Sequence, residues 1–124
     1  MTMRPLLSLD GILVVESDLF VQEDIGCIVG AVFPDAPLYP CGSVTDAMTL
    51  IAPLDTLDLA IIDASDHEIL ASGLAEQMGR RGTGVIHLDS RPAEMAIAQP
   101  RWLRLEKPFS EDTLRAALSA ILSK

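Results

Sequence analysis

Three short runs, ILVV at 12–15, LAII at 59–62 and VIHL at 85–88, restrict the fold of this chain more than any other feature. Strands this short and this apolar lack the in-out alternation of a sheet with one wet face, so they predict a sheet covered on both sides. The stretches between them carry helical period instead. Val21, Ile25, Ile28, Val29 and Val32 recur on one face, then Val44, Ala47, Met48 and Ile51, then Ala71, Leu74, Ala75 and Met78. Ser43 with Asp46 marks the start of the second helix, while Pro53 and the Gly79–Gly82 stretch close the second and third.

The same alternation runs to the end of the chain. WLRL at 102–105 predicts a fifth strand, and Ser110 caps a terminal helix with Leu114, Ala117, Leu118 and Ile121 on its buried face. A second strand near Leu38 and Tyr39 is flanked by Pro37 and Pro40, which places it at a sheet edge. Between the fourth and fifth strands only Ala93–Ala98 is available before Pro100, so a fourth helix there is expected to be short or irregular. Repeated β and α units in one small domain imply right-handed crossovers. The expected fold is α/β: a doubly wound, flavodoxin-like, five-stranded parallel sheet of order 2-1-3-4-5, with helices on both faces. Its ligand crevice then lies beyond the carboxyl ends of the first and third strands.

At 124 residues the expectation is a single domain, with residues 1–10 as an N-terminal extension. Although 49% of the residues are hydrophobic, no apolar run nears the roughly 18 needed to cross a bilayer, and no leader pattern opens the chain, so a cytoplasmic protein without membrane contact is expected. Cys27 and Cys41 are too few for a disulfide framework and lack metal-ligand spacing; both are expected to be packing residues in a reducing compartment. The net charge of −9, with Lys107 and Lys124 as the only lysines, argues against nucleic acid as a partner. Arg80 and Arg81, between Gly79 and Gly82, read as a solvated helix end.

Polar residues stand where the strands end: Glu16 after the first, Asp63 after the third, Asp89 after the fourth, Glu106 and Lys107 after the fifth. Singly, each marks a strand leaving the core. Together they gather carboxylates and one ammonium around one crevice, where the acids cannot all ionise unless a cation is shared or their pKa values rise. A hard divalent cation such as Mg²⁺, which takes one or two carboxylates plus water and phosphate, answers that requirement.

The runs "ILVVESD", "DLAIID" and "LEKPF", in this order and followed by an amphipathic terminal helix, resemble the receiver domain of two-component response regulators from Gly11 onward. The resemblance implies that Asp63 is the nucleophile that accepts a phosphoryl group from a histidine kinase or histidine phosphotransfer protein, with Mg²⁺ screening the charge. It implies that Lys107 binds a phosphoryl oxygen, that Lys107–Pro108 is a cis bond, and that the metal is held by Glu16, Asp63 and the main-chain carbonyl of Ser65. The chain also departs from the pattern. Ser17 replaces the second acid after strand one, a poor metal ligand unless Asp18 reaches in. The hydroxyl that usually ends strand four falls at Asp89 or, one residue later, Ser90. Arg104 stands where the family commonly has an aromatic, with Trp102 two residues earlier. The segment ASDHEILA after the acceptor is read as a loop with His67 exposed, while His87 is a satisfied core residue.

The leading expectation is thus a single-domain receiver, not an enzyme acting on other substrates, that accepts phosphate on Asp63 and works through protein contacts with a downstream target, as a monomer or weak homodimer. No output domain is expected. The alternative is a pseudo-receiver, a phosphorylation-independent interaction module. A flavodoxin-like enzyme or nucleotide binder lacks the glycine-rich loop it needs, since ESDLFVQED follows strand one.

Overall fold

In the computed structural model, which describes residues 9–89, 97 and 99–123, the three apolar runs lie side by side as parallel strands. The strands are β1 (Ile12–Val15), β2 (Leu38–Cys41), β3 (Leu59–Asp63), β4 (Gly84–Asp89) and β5 (Trp102–Glu106). They pair in the order β2-β1-β3-β4-β5, all parallel, as the alternation predicts. The proline-bearing strand β2 is at the edge.

Alternate residues of each strand enter opposite halves of the core, which explains why these runs are apolar throughout. Ile12, Val14, Leu59, Ile61, Ile86 and Leu88 pack on one side against α1 (Leu19–Val32) and α5 (Glu111–Leu122), through Ile25, Val29, Leu114, Leu118 and Ile121. Leu13, Val15, Ala60, Ile62 and Val85 pack on the other side against α2 (Val44–Ile51), α3 (Asp66–Ser72) and α4 (Leu74–Arg81). The starts are fixed by caps: Ser43 accepts the Asp46 amide at 3.1 Å, and Ser110 forms a capping box with Thr113.

The stretch after β3 differs from the sequence expectation. Ser65 and Glu68 form a capping box, so the helix begins at Asp66 and the segment read as a loop is α3, with His67 on its exposed side. The single third helix is in fact two. Gly73, at φ 83°, ends α3 in the left-handed conformation and starts α4 on a new axis. That break resets the helical phase: Ala71 is exposed and Ile69 is buried instead, while Leu74, Ala75 and Met78 face the core as expected. The expected short helix at 93–98 falls almost wholly outside the described residues.

Two other expectations are corrected. Arg81 is no solvated end: it donates to the carbonyls of Ile51 at 3.2 Å and Leu54 at 3.1 Å, joining the last turn of α4 to the end of α2 and the turn that follows it. Only Arg80 behaves as expected, in an exposed i,i+4 pair with Glu76. Cys41 is half-buried against the α2 side of the core, but Cys27 is exposed on α1. Among the described residues, no helix is long and apolar enough to cross a membrane.

Because Gly73 must adopt a positive φ, Gly73→Ala is expected to destabilise the fold by about 1–2 kcal/mol, although a methyl group there meets nothing closer than 3.9 Å. Urea unfolding checks this; an unchanged midpoint would mean that the α3–α4 junction is not a left-handed turn.

Candidate functional site

A parallel sheet brings the carboxyl ends of its strands to one rim. The β1–β3 register pairs Val15 with Ile62, so the next residues on each strand, Glu16 and Asp63, stand adjacent where both leave the core. Lys107 follows β5, and its Nζ donates to Asp63 Oδ2 at 2.6 Å. The Lys107–Pro108 bond is cis, as the motif implies. The structure therefore brings together Glu16, Asp63 and Lys107 from three strands.

Glu16 is nearly sealed from water, at 3% exposure. Its Oε1 accepts the Asp18 amide at 3.2 Å, but its Oε2 is buried with no hydrogen-bond partner among the described residues. Burial, then the hydrogen bond and charge of Asp63, push the Glu16 carboxyl up to about 7, against the Asp18 amide and the Lys107 charge, which pull it down. Glu16 and Asp63 are close enough for a proton on one carboxyl to be shared with the other. Two ionised carboxylates cannot bond each other, and one proton or one cation between them is what the pair lacks. On the other side, the Asp63 hydrogen bond holds the Lys107 ammonium above its ordinary range despite partial burial.

The remaining expected residues have contacts of their own. Ser17 is exposed. Asp18 caps α1, its Oδ1 accepting the amides of Phe20 at 2.9 Å and Val21 at 3.3 Å, so that oxygen is already committed to the helix start. The carbonyl of Ser65 accepts the Ile69 amide at 3.1 Å as the first rung of α3, and its hydroxyl caps the same helix. Ser90 lies outside the described residues. Asp89 closes β4 with its side chain 3.4 Å from the Arg104 guanidinium, a charge partner that the residue types alone did not disclose.

Arg104 also donates to Asp66, buried at the first position of α3, at 2.9 Å. His87 completes this group. Its Nε2 donates to the Ala64 carbonyl at 2.8 Å, which leaves Nδ1 to accept from Trp102 Nε1 and Arg104, each at 3.4 Å. Trp102 meets the imidazole edge-on at 5.8 Å. The expectation of a satisfied core histidine holds. The ligand atoms of Asp66, His87 and Asp89 lie within 4.8 Å of one another, a spacing that suits a metal, but the guanidinium of Arg104 supplies the positive charge there. Asp66 and Arg104 were missed as site residues because they are 38 positions apart and neither belongs to a local motif.

For a hard divalent cation the donor set at the rim fits. Glu16 offers a buried, unpartnered carboxylate oxygen, and Asp63 offers a second carboxylate beside it. Two carboxylates, with water completing the shell, are the donors Mg²⁺ takes.

No family model matches this sequence, and no curated relative does. Solved structures match it well. A response regulator receiver domain protein from Bacillus halodurans superposes with a TM-score of 0.73 at 19% identity, covering 90% of this chain and 96% of that one. A CheY-like receiver domain from Methylobacillus flagellatus gives 0.70 at 20% identity, over 91% and 98%. The signal receiver domain of an HD domain-containing protein from Pseudomonas fluorescens gives 0.71 at 23% identity, over 93% and 88%.

The raised Glu16 has a consequence for stability. Its folded-state value of about 7 lies above its ordinary 4.5, so ionising it opposes folding. This cost is absent well below pH 4.5 and fully felt above pH 7. In metal-free buffer Glu16→Gln is therefore expected to stabilise the protein at pH 8, by up to about 3 kcal/mol, and to have much less effect near pH 5. Thermal unfolding at the two pH values checks it; equal shifts at both would show that Glu16 is not held protonated.

Proposed function

We propose that this chain, which has the fold of response regulator receiver domains, is a cytoplasmic receiver that accepts a phosphoryl group on Asp63. The observation that carries the reading is the Lys107–Asp63 contact of 2.6 Å beside the buried, unpartnered Oε2 of Glu16. A carboxylate nucleophile, an ammonium and a second acid in want of a cation are the parts that phosphoryl transfer to an aspartate requires.

In this reading a carboxylate oxygen of Asp63 attacks the phosphorus of a phosphohistidine on a kinase or phosphotransfer protein. The P–N bond breaks, the imidazole leaves, and Asp63 carries an acyl phosphate. Lys107 Nζ, already held at Asp63 Oδ2, lies within reach of a new phosphoryl oxygen and offsets its charge. Glu16 and Asp63 would hold Mg²⁺, which when bound would supply the remaining charge neutralisation. With the Ser65 carbonyl engaged by α3 and the Asp18 Oδ1 engaged by α1, Glu16 and Asp63 are the ligands this reading relies on. The domain then acts on a downstream protein by contact, with phosphotransfer confined to itself.

A second reading is a phosphorylation-independent interaction module. It is favoured by the exposed Ser17, and by the acid Asp89 where a hydroxyl is usual.

Incubation with Mg²⁺ and acetyl phosphate, followed by intact mass, separates the two. The receiver reading predicts one acid-stable, base-labile phosphoryl adduct, absent in Asp63→Asn and formed about 100-fold more slowly in Lys107→Ala. No adduct on the parent protein would favour the interaction module.

A further inference from the structure

His87 is a buried polar side chain for which the phosphoacceptor reading has no use. It is fully sealed from water in a strand that is otherwise apolar up to Asp89, where burial is costly unless both ring nitrogens are satisfied. Nδ1 faces Trp102 Nε1 and the Arg104 guanidinium, each at 3.4 Å, and both groups can only donate. Nδ1 must therefore accept. The ring proton stands on Nε2, which donates it to the Ala64 carbonyl at 2.8 Å.

That carbonyl is the first one beyond Asp63. β3 ends at Asp63, which pairs with Leu88, and Ser65 already caps α3, so the chain turns from strand to helix within Ala64 and Ser65. The Ser65 amide and carbonyl are engaged by α3, through Glu68 Oε1 at 3.2 Å and the Ile69 amide at 3.1 Å. The Ala64 carbonyl is engaged by β4, so His87 pins the turn to the sheet. His87 does not itself approach the carboxylate. Like Val85 and Ile62 it lies on the face covered by α2, α3 and α4, whereas Asp63, next after Ile62, projects to the opposite face, where Lys107 meets it. Its influence on Asp63 passes through the Ala64 peptide.

We propose that His87 is a positioning residue for Asp63: the Nε2–H that it donates to the Ala64 carbonyl fixes the turn after β3, and so holds the Asp63 carboxylate against Lys107 and beside Glu16. An apolar side chain in its place would deprive that carbonyl, and the Trp102 indole, of the partner they have here, and would free the turn to rotate. The consequence for phosphoryl transfer rests on the reading of Asp63 as the acceptor. The placement of the carboxylate does not.

The chain's two lysines, Lys107 and Lys124, make the placement measurable, because ¹⁵Nζ-lysine labelling gives two ammonium resonances. Spectra are taken without metal or phosphodonor. Asp63→Asn removes the charge partner and sets the limiting displacement of the Lys107 resonance. His87→Leu should move that resonance a large part of the way to the limit. His87→Gln, whose amide nitrogen can stand in for Nε2, should leave it near the parent position. Val85→Ala, which opens a cavity on the same strand and face, should leave it there too while lowering the unfolding midpoint. A parent-like resonance in His87→Leu, or a His87→Gln or Val85→Ala protein displaced as far as His87→Leu, overturns the proposal. So does an imidazole ¹⁵N spectrum of the parent protein that puts the His87 proton on Nδ1, a measurement that needs no variant to fold. With Mg²⁺ and acetyl phosphate, adduct formation should slow about 10-fold in His87→Leu and recover in His87→Gln. A parent protein that forms no adduct defeats the acceptor reading, while the resonance test still decides whether His87 positions Asp63.

Discussion

One carboxylate pair governs the rim of this sheet. Parallel pairing in register sets Glu16 beside Asp63, and burial denies Glu16 the water that would let it ionise freely. Among the described residues a single ammonium reaches the pair, on the Asp63 side, so two acids share one cation and Glu16 Oε2 goes without a hydrogen-bond partner. The neighbouring architecture follows from containing that charge. The Asp18 amide is turned onto Glu16 while the Asp18 side chain starts α1, and Gln22 Nε2 bonds the carbonyls of Glu16 and Cys41, at 3.0 Å each, where β1 and β2 end.

The sheet was legible because its strands carry their information locally. A run such as LAII has one fate when both faces of the sheet are covered, and Pro40 tells an edge from a centre. The terminal helix was legible for the same reason, since its cap and its apolar stripe lie within a dozen residues. The region between β3 and β4 was not. Periodicity through Ala71, Leu74, Ala75 and Met78 spans a glycine whose left-handed turn is a backbone choice, invisible to a count of apolar positions. Arg81 was misread because the carbonyls it binds, at the end of α2 and in the turn after it, lie about thirty residues earlier.

Within the rim, Glu16, Asp63 and Lys107 could be named from sequence because each stands at or directly after the end of a strand. Asp18 and Ser65 each also serve a helix start. The Asp18 side chain accepts amides two and three residues on, and the main-chain carbonyl of Ser65, the atom the resemblance names, accepts the Ile69 amide. Asp89 shows the opposite limit. Its charge looks hostile to a phosphoryl group until Arg104 and Asp66 are seen beside it. That association crosses from α3 to β4 to β5, so only the folded chain shows it.

If Glu16 and Asp63 together lack a cation, calorimetric titration of the protein with Mg²⁺ at pH 8 should show saturable binding at one site, lost in Glu16→Gln and in Asp63→Asn. Absence of saturable binding by the parent protein, or binding that survives both substitutions, would contradict this reading of the pair.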